Sequence, residues 1–320
     1  MPSRPFRRRL ACLAAAAAAL AAAVFAGGSA QAAALPVSYG FLAGFAATVS
    51  APDTPPPGAN NFSCRPSTGH PYPVILVHGT FENMDDNWQT ASPLLANHGY
   101  CVFAFNYGGT SASADIQGTG DIAASARQLA SFAGRVLAAT GAPKVDLVGH
   151  SQGGMMPRFY INFLGGAAKV DKLVALAPSN YGTTIDGLTT LASLLGASSL
   201  LSSGLSVACQ ACAQQEAGSS FLTALNARPT AAGVRYTVIE SAGDEVVTPY
   251  TNAFLPAAPD VTNITVNRQC PLDRSDHLEI ASDPVAMADM LNALDPASPV
   301  RVPCLAVLPL TGPAGPVPSF

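Results

Sequence analysis

Uninterrupted apolar runs alternate along this chain with longer stretches in which apolar residues recur every three or four positions. Val74-Ile75-Leu76-Val77 has no polar break, as expected of a strand buried on both faces. Further strands are expected over 100–105, 144–148, 173–177, 235–240 and 261–266. Residues 85–97, 152–164 and 284–294 read as helices between them. So does the amphipathic stretch 121–139, which Thr140-Gly141-Ala142-Pro143 closes. Pro157 predicts an irregularity in the first turns of the 152–164 helix. A short apolar helix is expected over 39–49 and an extended Pro/Asn/Gly-rich loop over 51–72. Repeated β-α units of this kind predict an α/β fold, with a mostly parallel central sheet and helices on both faces. Residues 182–232 form an insertion after the fourth strand. It carries Leu188, Leu191, Leu194, Leu195, Leu200, Leu201 and Leu205 at roughly helical spacing, with no charge on the opposite face. These leucines suit either a core helix or a mobile apolar cap (a lid) forming one wall of a site. Residues 296–320 read as a Pro-rich C-terminal tail.

The N-terminus changes this picture. Arg4, Arg7, Arg8 and Arg9 precede an Ala-rich apolar stretch from Leu10 to Ala26, and Ala30-Gln31-Ala32 offers a small-x-small cleavage site. Residues 1–34 are therefore expected to be a cleaved signal peptide rather than a stable membrane anchor, leaving 35–320 as one secreted domain. The rest of the chain has no Lys/Arg cluster, and the formal net charge is −4, which argues against a nucleic-acid partner. The seven cysteines include Cys12 in the leader. The others, in an exported chain, read as three disulfides, and pairing neighbours in order gives Cys64–Cys101, Cys209–Cys212 and Cys270–Cys304. Zinc at Cys209-x-x-Cys212 is the rival reading, but no second Cys/His pair stands at matching spacing. No compact Asp-rich cluster suggests calcium, so neither a metal nor a cofactor is expected.

The chemistry centres on Gly149-His150-Ser151-Gln152-Gly153, a G-x-S-x-G pattern between an expected strand and an expected helix. A serine on such a turn is pushed out of the sheet, within reach of a base and a substrate carbonyl. Of the five histidines, His70 and His98 read as surface residues, and His78 as shaping the loop after the first strand. His150 adjoins Ser151 and so should point elsewhere. His277 follows the last strand and is the expected base. Asp244, after the 235–240 strand, is the expected acid, with Glu245 its chief rival. Asp273, Asp276 and Glu279 stand beside His277 in sequence rather than beneath it. Backbone N–H groups of Gln152 and of Thr80, in His78-Gly79-Thr80-Phe81, are the expected oxyanion donors, with the Thr80 hydroxyl as a possible addition.

Four motifs, Val77-His78-Gly79-Thr80, the Gly149–Gly154 turn, Gly243-Asp244-Glu245-Val246-Val247 and Ser275-Asp276-His277-Leu278, stand in the Ser, Asp, His order of α/β-hydrolases. Together they resemble secreted bacterial class 2 lipases and esterases of actinobacterial type; around the Gly149–Gly154 turn, from Lys169-Val170-Asp171-Lys172 to Ala177-Pro178 and around Asp244 the chain also resembles, more distantly, the yeast lipase B family. The resemblance implies an α/β-hydrolase fold, a Ser151–Asp244–His277 triad and cofactor-free hydrolysis of carboxylic esters. Substrates would be esters or lipids, at a lipid–water interface where the substrate is insoluble, and the protein is expected to be a monomer. Phe81, Met155 and Val247, with the leucine-rich insertion, would flank an acyl pocket. An extracellular acyltransferase or a polyester or cutin depolymerase could use the same triad. A non-catalytic binding protein on this scaffold is disfavoured by the intact Ser, Asp and His set.

Overall fold

A computed structural model describes residues 33–48, 52–111, 114–201 and 208–320. The leader reading, apart from Ala33 and Ala34, and Leu205 lie outside these residues; the side chains of Leu200 and Leu201 are not described. Residues Leu35–Phe320 form one unit. Six strands, β1 (Val74–Val77), β2 (Val102–Ala104), β3 (Val145–His150), β4 (Val170–Leu176), β5 (Arg235–Glu240) and β6 (Val261–Thr265), build one sheet in the order β2-β1-β3-β4-β5-β6. Every pairing is parallel. The chain starts in the sheet at β1, steps to the β2 edge, then crosses back beyond β1 to β3 and runs outward to β6. Strand order therefore reverses between β1 and β3, and the crevice at their C-terminal ends is where such sheets bind ligands.

Alternation along the apolar runs explains their continuity. Ile75 and Val77 enter one core cluster with Phe103, Leu147 and Leu173, while Val74 and Leu76 enter the other with Val102, Val148 and Val174. The first cluster lies under the helix Ile122–Thr140, whose Ile122, Ala126, Leu129, Ala133 and Val136 are buried at helical spacing. The Asp121 side chain caps its start by accepting from Ala124 N at 2.7 Å, and Gly141, at φ 73°, ends it. The second cluster lies under Ala91–Asn97 and Pro284–Leu294.

Several expected boundaries shift for identifiable reasons. The helix expected over 85–97 is confined to Ala91–Asn97. Before it, Asn83 Oδ1 accepts from Asp85 N and Asp86 N, and Asp86 Oδ1 accepts from Asn83 N, so side chains take the backbone donors that a helix would use. Strand β4 starts earlier than its apolar run, because Lys172 is paired with Asp146 and Asp171 at 3.3 and 2.9 Å and can sit in the sheet. Strand β3 runs on to His150, paired with Leu176. The helix after Ser151 breaks at Met156 into Gln152–Met155 and Pro157–Phe163, the second beginning at the proline that lacks an N–H. In the 182–232 insertion, helices Ile185–Leu194, Ser198–Leu201, Gln210–Gln215 and Ser220–Asn226 follow one another. Leu188 and Leu191 are buried in the first core cluster, whereas Ile185 and Leu194 are exposed. The tail carries a hairpin, β7 (Val307–Leu308) with β8 (Gly312–Pro313). The disulfides are Cys64–Cys101, Cys209–Cys212 and Cys270–Cys304.

Candidate active site

The turn after β3 is set by sterics. Ser151 has φ 55° and ψ −123°, a left-handed conformation that costs a non-glycine residue about 1–3 kcal/mol. A β-carbon at Gly149 would lie 1.9 Å from the Gly153 carbonyl oxygen, and one at Gly153 would lie 2.0 Å from that of Val77. No side chain fits at either position, which accounts for both glycines of the pattern. Ser151 N donates to Leu176 O at 2.9 Å, tying the turn to β4.

His277 and Asp244 meet from the loops after β6 and β5. The His277 Nδ1–Asp244 Oδ2 distance is 2.7 Å, with both side chains buried. The carboxylate fixes the proton on Nδ1, so the neutral ring keeps its lone pair on Nε2. That Nε2 is buried and, among the described residues, has no hydrogen-bond partner, Ser151 included. Asp244 Oδ1 accepts from Val246 N and Val247 N, each at 2.7 Å. Burial opposes charge on His277, but Asp244, by charge and hydrogen bond, with Glu245 and Glu82 adding to it, raises its pKa above 6.5. Glu245 is not beneath the ring; its Oε2 accepts from His277 N at 3.4 Å.

Behind Ser151, Thr80 Oγ1 accepts from Gln152 Nε2 and Gln215 Nε2, both at 2.8 Å. Ser179 Oγ donates to Gln215 Oε1, and Gln152 Nε2 also donates to Gly118 O, which fixes both amides as donors. Two incoming donors fill the lone pairs of the Thr80 hydroxyl and leave its proton to donate elsewhere. Among the described residues, the backbone N–H groups of Thr80 and Gln152 have no protein acceptor.

Sequence reasoning missed the layer beneath. His150 does point away from Ser151: its Nε2 bonds the His277 carbonyl oxygen at 2.8 Å, and its Nδ1 bonds Glu82 Oε2 at 2.8 Å. Glu82 Oε2 also accepts from Gly79 N at 3.0 Å, and Asn87 Nδ2 donates to Glu82 Oε1 at 2.9 Å. The Glu82–His150 pair thus links the loop after β1 to the loop bearing His277. Its members stand 68 and 127 residues apart from their partners, and no local pattern marks them. His78 stacks on Tyr107 at 4.2 Å, and burial pushes its pKa down to about 4. His70 stacks on Tyr100, and His98 is half-buried.

Of the residues expected to flank an acyl pocket, Met155 and Val247 are fully buried in the first core cluster. Phe81 lines a cavity of about 110 Å³ with Phe45, Ile116 and Leu195 and with the polar Asn83, Asp86 and Asp115. Among the described residues, no group of three His, Cys, Asp or Glu side chains is disposed to hold a metal, and no helix is long and apolar enough to cross a membrane.

The family model described as Lipase (class 2) matches residues 71–288. Triacylglycerol lipases from Pseudarthrobacter phenanthrenivorans and Burkholderia plantarii are each 42% identical to this chain over 93 residues, 28% of its length. The match spans only about a quarter of those relatives, 27% and 24%. Among solved structures, Aspergillus fumigatus lipase B superposes with a TM-score of 0.58 at 22% identity, over 75% of this chain and 55% of that one. Bacillus licheniformis lipase BlEst2 in its mature form gives 0.54 at 18% identity, over 72% and 94%. With the sheet order, these likenesses identify the α/β-hydrolase fold.

Proposed function

This chain belongs to the class 2 lipase family, and on that premise we propose that it is a secreted serine hydrolase of carboxylic esters, of lipase or esterase type. The observation that carries the reading is His277, with its Nδ1 bonded to Asp244 and its Nε2 buried and unpartnered. An imidazole held this way is ready to take a proton from a serine that enters its reach. In the proposed cycle, Ser151 Oγ attacks the ester carbonyl carbon while His277 Nε2 takes the hydroxyl proton. The oxyanion accepts from Thr80 N, Gln152 N and the Thr80 hydroxyl. Collapse breaks the C–O bond to the alcohol, which leaves with the proton from His277, and Ser151 keeps the acyl group. Water, deprotonated by His277, then releases the acid and restores Ser151.

Secretion is supported by three disulfides, which persist in oxidising compartments. The exposed Ile185 and Leu194 on the insertion, with Phe45, Phe81, Ile116 and Leu195 along one cavity, favour substrates with an apolar acyl part. The test is initial rates on p-nitrophenyl esters of increasing chain length and on emulsified triglyceride, with Ser151→Ala alongside. Hydrolysis that disappears in the variant is expected, and retained hydrolysis would overturn the reading. Activity sustained on long chains and emulsion defines a lipase, and activity confined to short esters defines an esterase.

A further inference from the structure

Gly79 packs against both the nucleophile and an acid. A β-carbon on it would stand 3.2 Å from the Ser151 β-carbon and 2.1 Å from Glu82 Oε2. Its N–H donates to that Oε2 at 3.0 Å and to Asn87 Oδ1 at 3.2 Å. The next N–H along the chain is that of Thr80, the proposed oxyanion donor, so Glu82 holds the segment that presents it. The same Oε2 meets His150 Nδ1 at 2.8 Å. His150 Nε2 donates to His277 O at 2.8 Å, and the two imidazole rings pack with centroids 5.0 Å apart. Glu82 and His150 are both buried. One unbroken path thus runs from the Thr80 segment, through Glu82 and His150, to the backbone of His277. His150 also precedes Ser151 directly, so the chain itself joins the path to the nucleophile.

Hydrogen-bonding roles place the protons on this path. A carbonyl oxygen only accepts, so His150 Nε2 carries a hydrogen. Were Nδ1 bare and Glu82 ionised, two lone pairs would face each other at 2.8 Å, so one proton must lie between them. Asn87 Nδ2, 3.1 Å from the same Nδ1, does not remove that need, because the carboxylate oxygen stays the nearer neighbour. We propose that Glu82 and His150 are positioning residues for the reaction, a second buried acid–histidine couple whose shared proton holds the Thr80 segment and His277 at a fixed separation. This rests on the proposed Ser151–Asp244–His277 hydrolase. The oxyanion donor and the base act on one tetrahedral centre, and a misplacement of about 1 Å there can cost about a hundredfold in rate.

The test compares wild type, His150→Leu, Glu82→Gln and the double variant on a soluble aryl ester. Rates are counted per serine titrated to completion by a fluorophosphonate. His150→Leu breaks the path outright. Its kcat per titrated site should fall about a hundredfold with KM within about twofold of wild type, because oxyanion donation and proton transfer are made in the transition state. Glu82→Gln keeps the shape of the side chain, but its amide has one acceptor oxygen. Whichever way it turns, it loses one of the ties to Gly79, Asn87 and His150, and a fall in kcat of about tenfold is expected. The double variant should lie within about threefold of His150→Leu, since both changes cut one path. A role in stability alone would lower the amount of titratable protein and leave kcat per site unchanged. An unchanged kcat in His150→Leu, a KM that rises in step with the loss, or losses that multiply in the double variant would overturn the proposal.

The shared proton gives a readout independent of turnover. Proton NMR of the wild type should show two far-downfield signals protected from exchange, one from His277 Nδ1 with Asp244 and one from the His150–Glu82 contact. Ser151→Ala should keep both, and Glu82→Gln should remove the second alone. A wild type that lacks the second signal would overturn the shared proton. If the wild type shows no Ser151-dependent hydrolysis, the hydrolase reading fails, and the second signal still decides whether Glu82 and His150 share a proton.

Discussion

The two halves of the site are held by different forces. The Ser151 half is a matter of shape: two glycines pass backbone carbonyls at distances no side chain tolerates, and the serine is driven into a left-handed turn. The His277 half is a matter of charge. Asp244, Glu245 and, from beneath, Glu82 with His150 act on one buried imidazole. Shape is written locally, in five consecutive residues. Charge is assembled from the loops after β1, β5 and β6, across more than a hundred residues.

That contrast can be broken experimentally. The largest effect should come from the charged half. If the proposed triad operates, His277→Ala should lower kcat by about a millionfold and Asp244→Asn by about ten thousandfold, the losses seen in Ser–His–Asp hydrolases. Steady-state rates on a soluble aryl ester would check both. Equal losses would mean that Asp244 does more than hold the ring. The shape-held half should fail by unfolding instead. Gly153→Ala pushes a methyl group into the carbonyls of Val77 and His78, and about 3 kcal/mol of stability or more should be lost. A denaturant titration would read this directly, and a variant as stable as wild type would show that the turn has slack. The smallest effect is in pH. In the proposed cycle hydrolysis needs neutral His277, whose pKa is raised by Asp244 against its burial, so kcat/KM should fall as pH drops through a midpoint above 6.5. A midpoint below 6.5 would mean that burial outweighs the carboxylate.

The same contrast explains what could be read in advance. Strands β1 and β3 stand out in the sequence because both their faces are covered, and the glycine pattern places Ser151 because sterics allow few alternatives. The positions of Asp244 and His277 follow from the ends of β5 and β6. The network around them does not. Glu82 lies in a stretch that reads as the approach to a helix, yet there Asn83 and Asp86 turn the backbone aside. The insertion divides along the same line. Leu188 and Leu191 obey the helical spacing and are core, while Ile185 and Leu194, on the same helix, face outward. Spacing alone does not tell which face a neighbour will cover.

The most direct test is covalent. Incubating the purified protein with a serine-reactive fluorophosphonate and mapping the adduct by peptide mass spectrometry asks whether Ser151 is the activated nucleophile. The account predicts a single adduct on the Gly149–Gly154 peptide, at Ser151, formed rapidly in wild type and strongly slowed in His277→Ala. An adduct on another serine, or none on folded protein that hydrolyses esters, would contradict it.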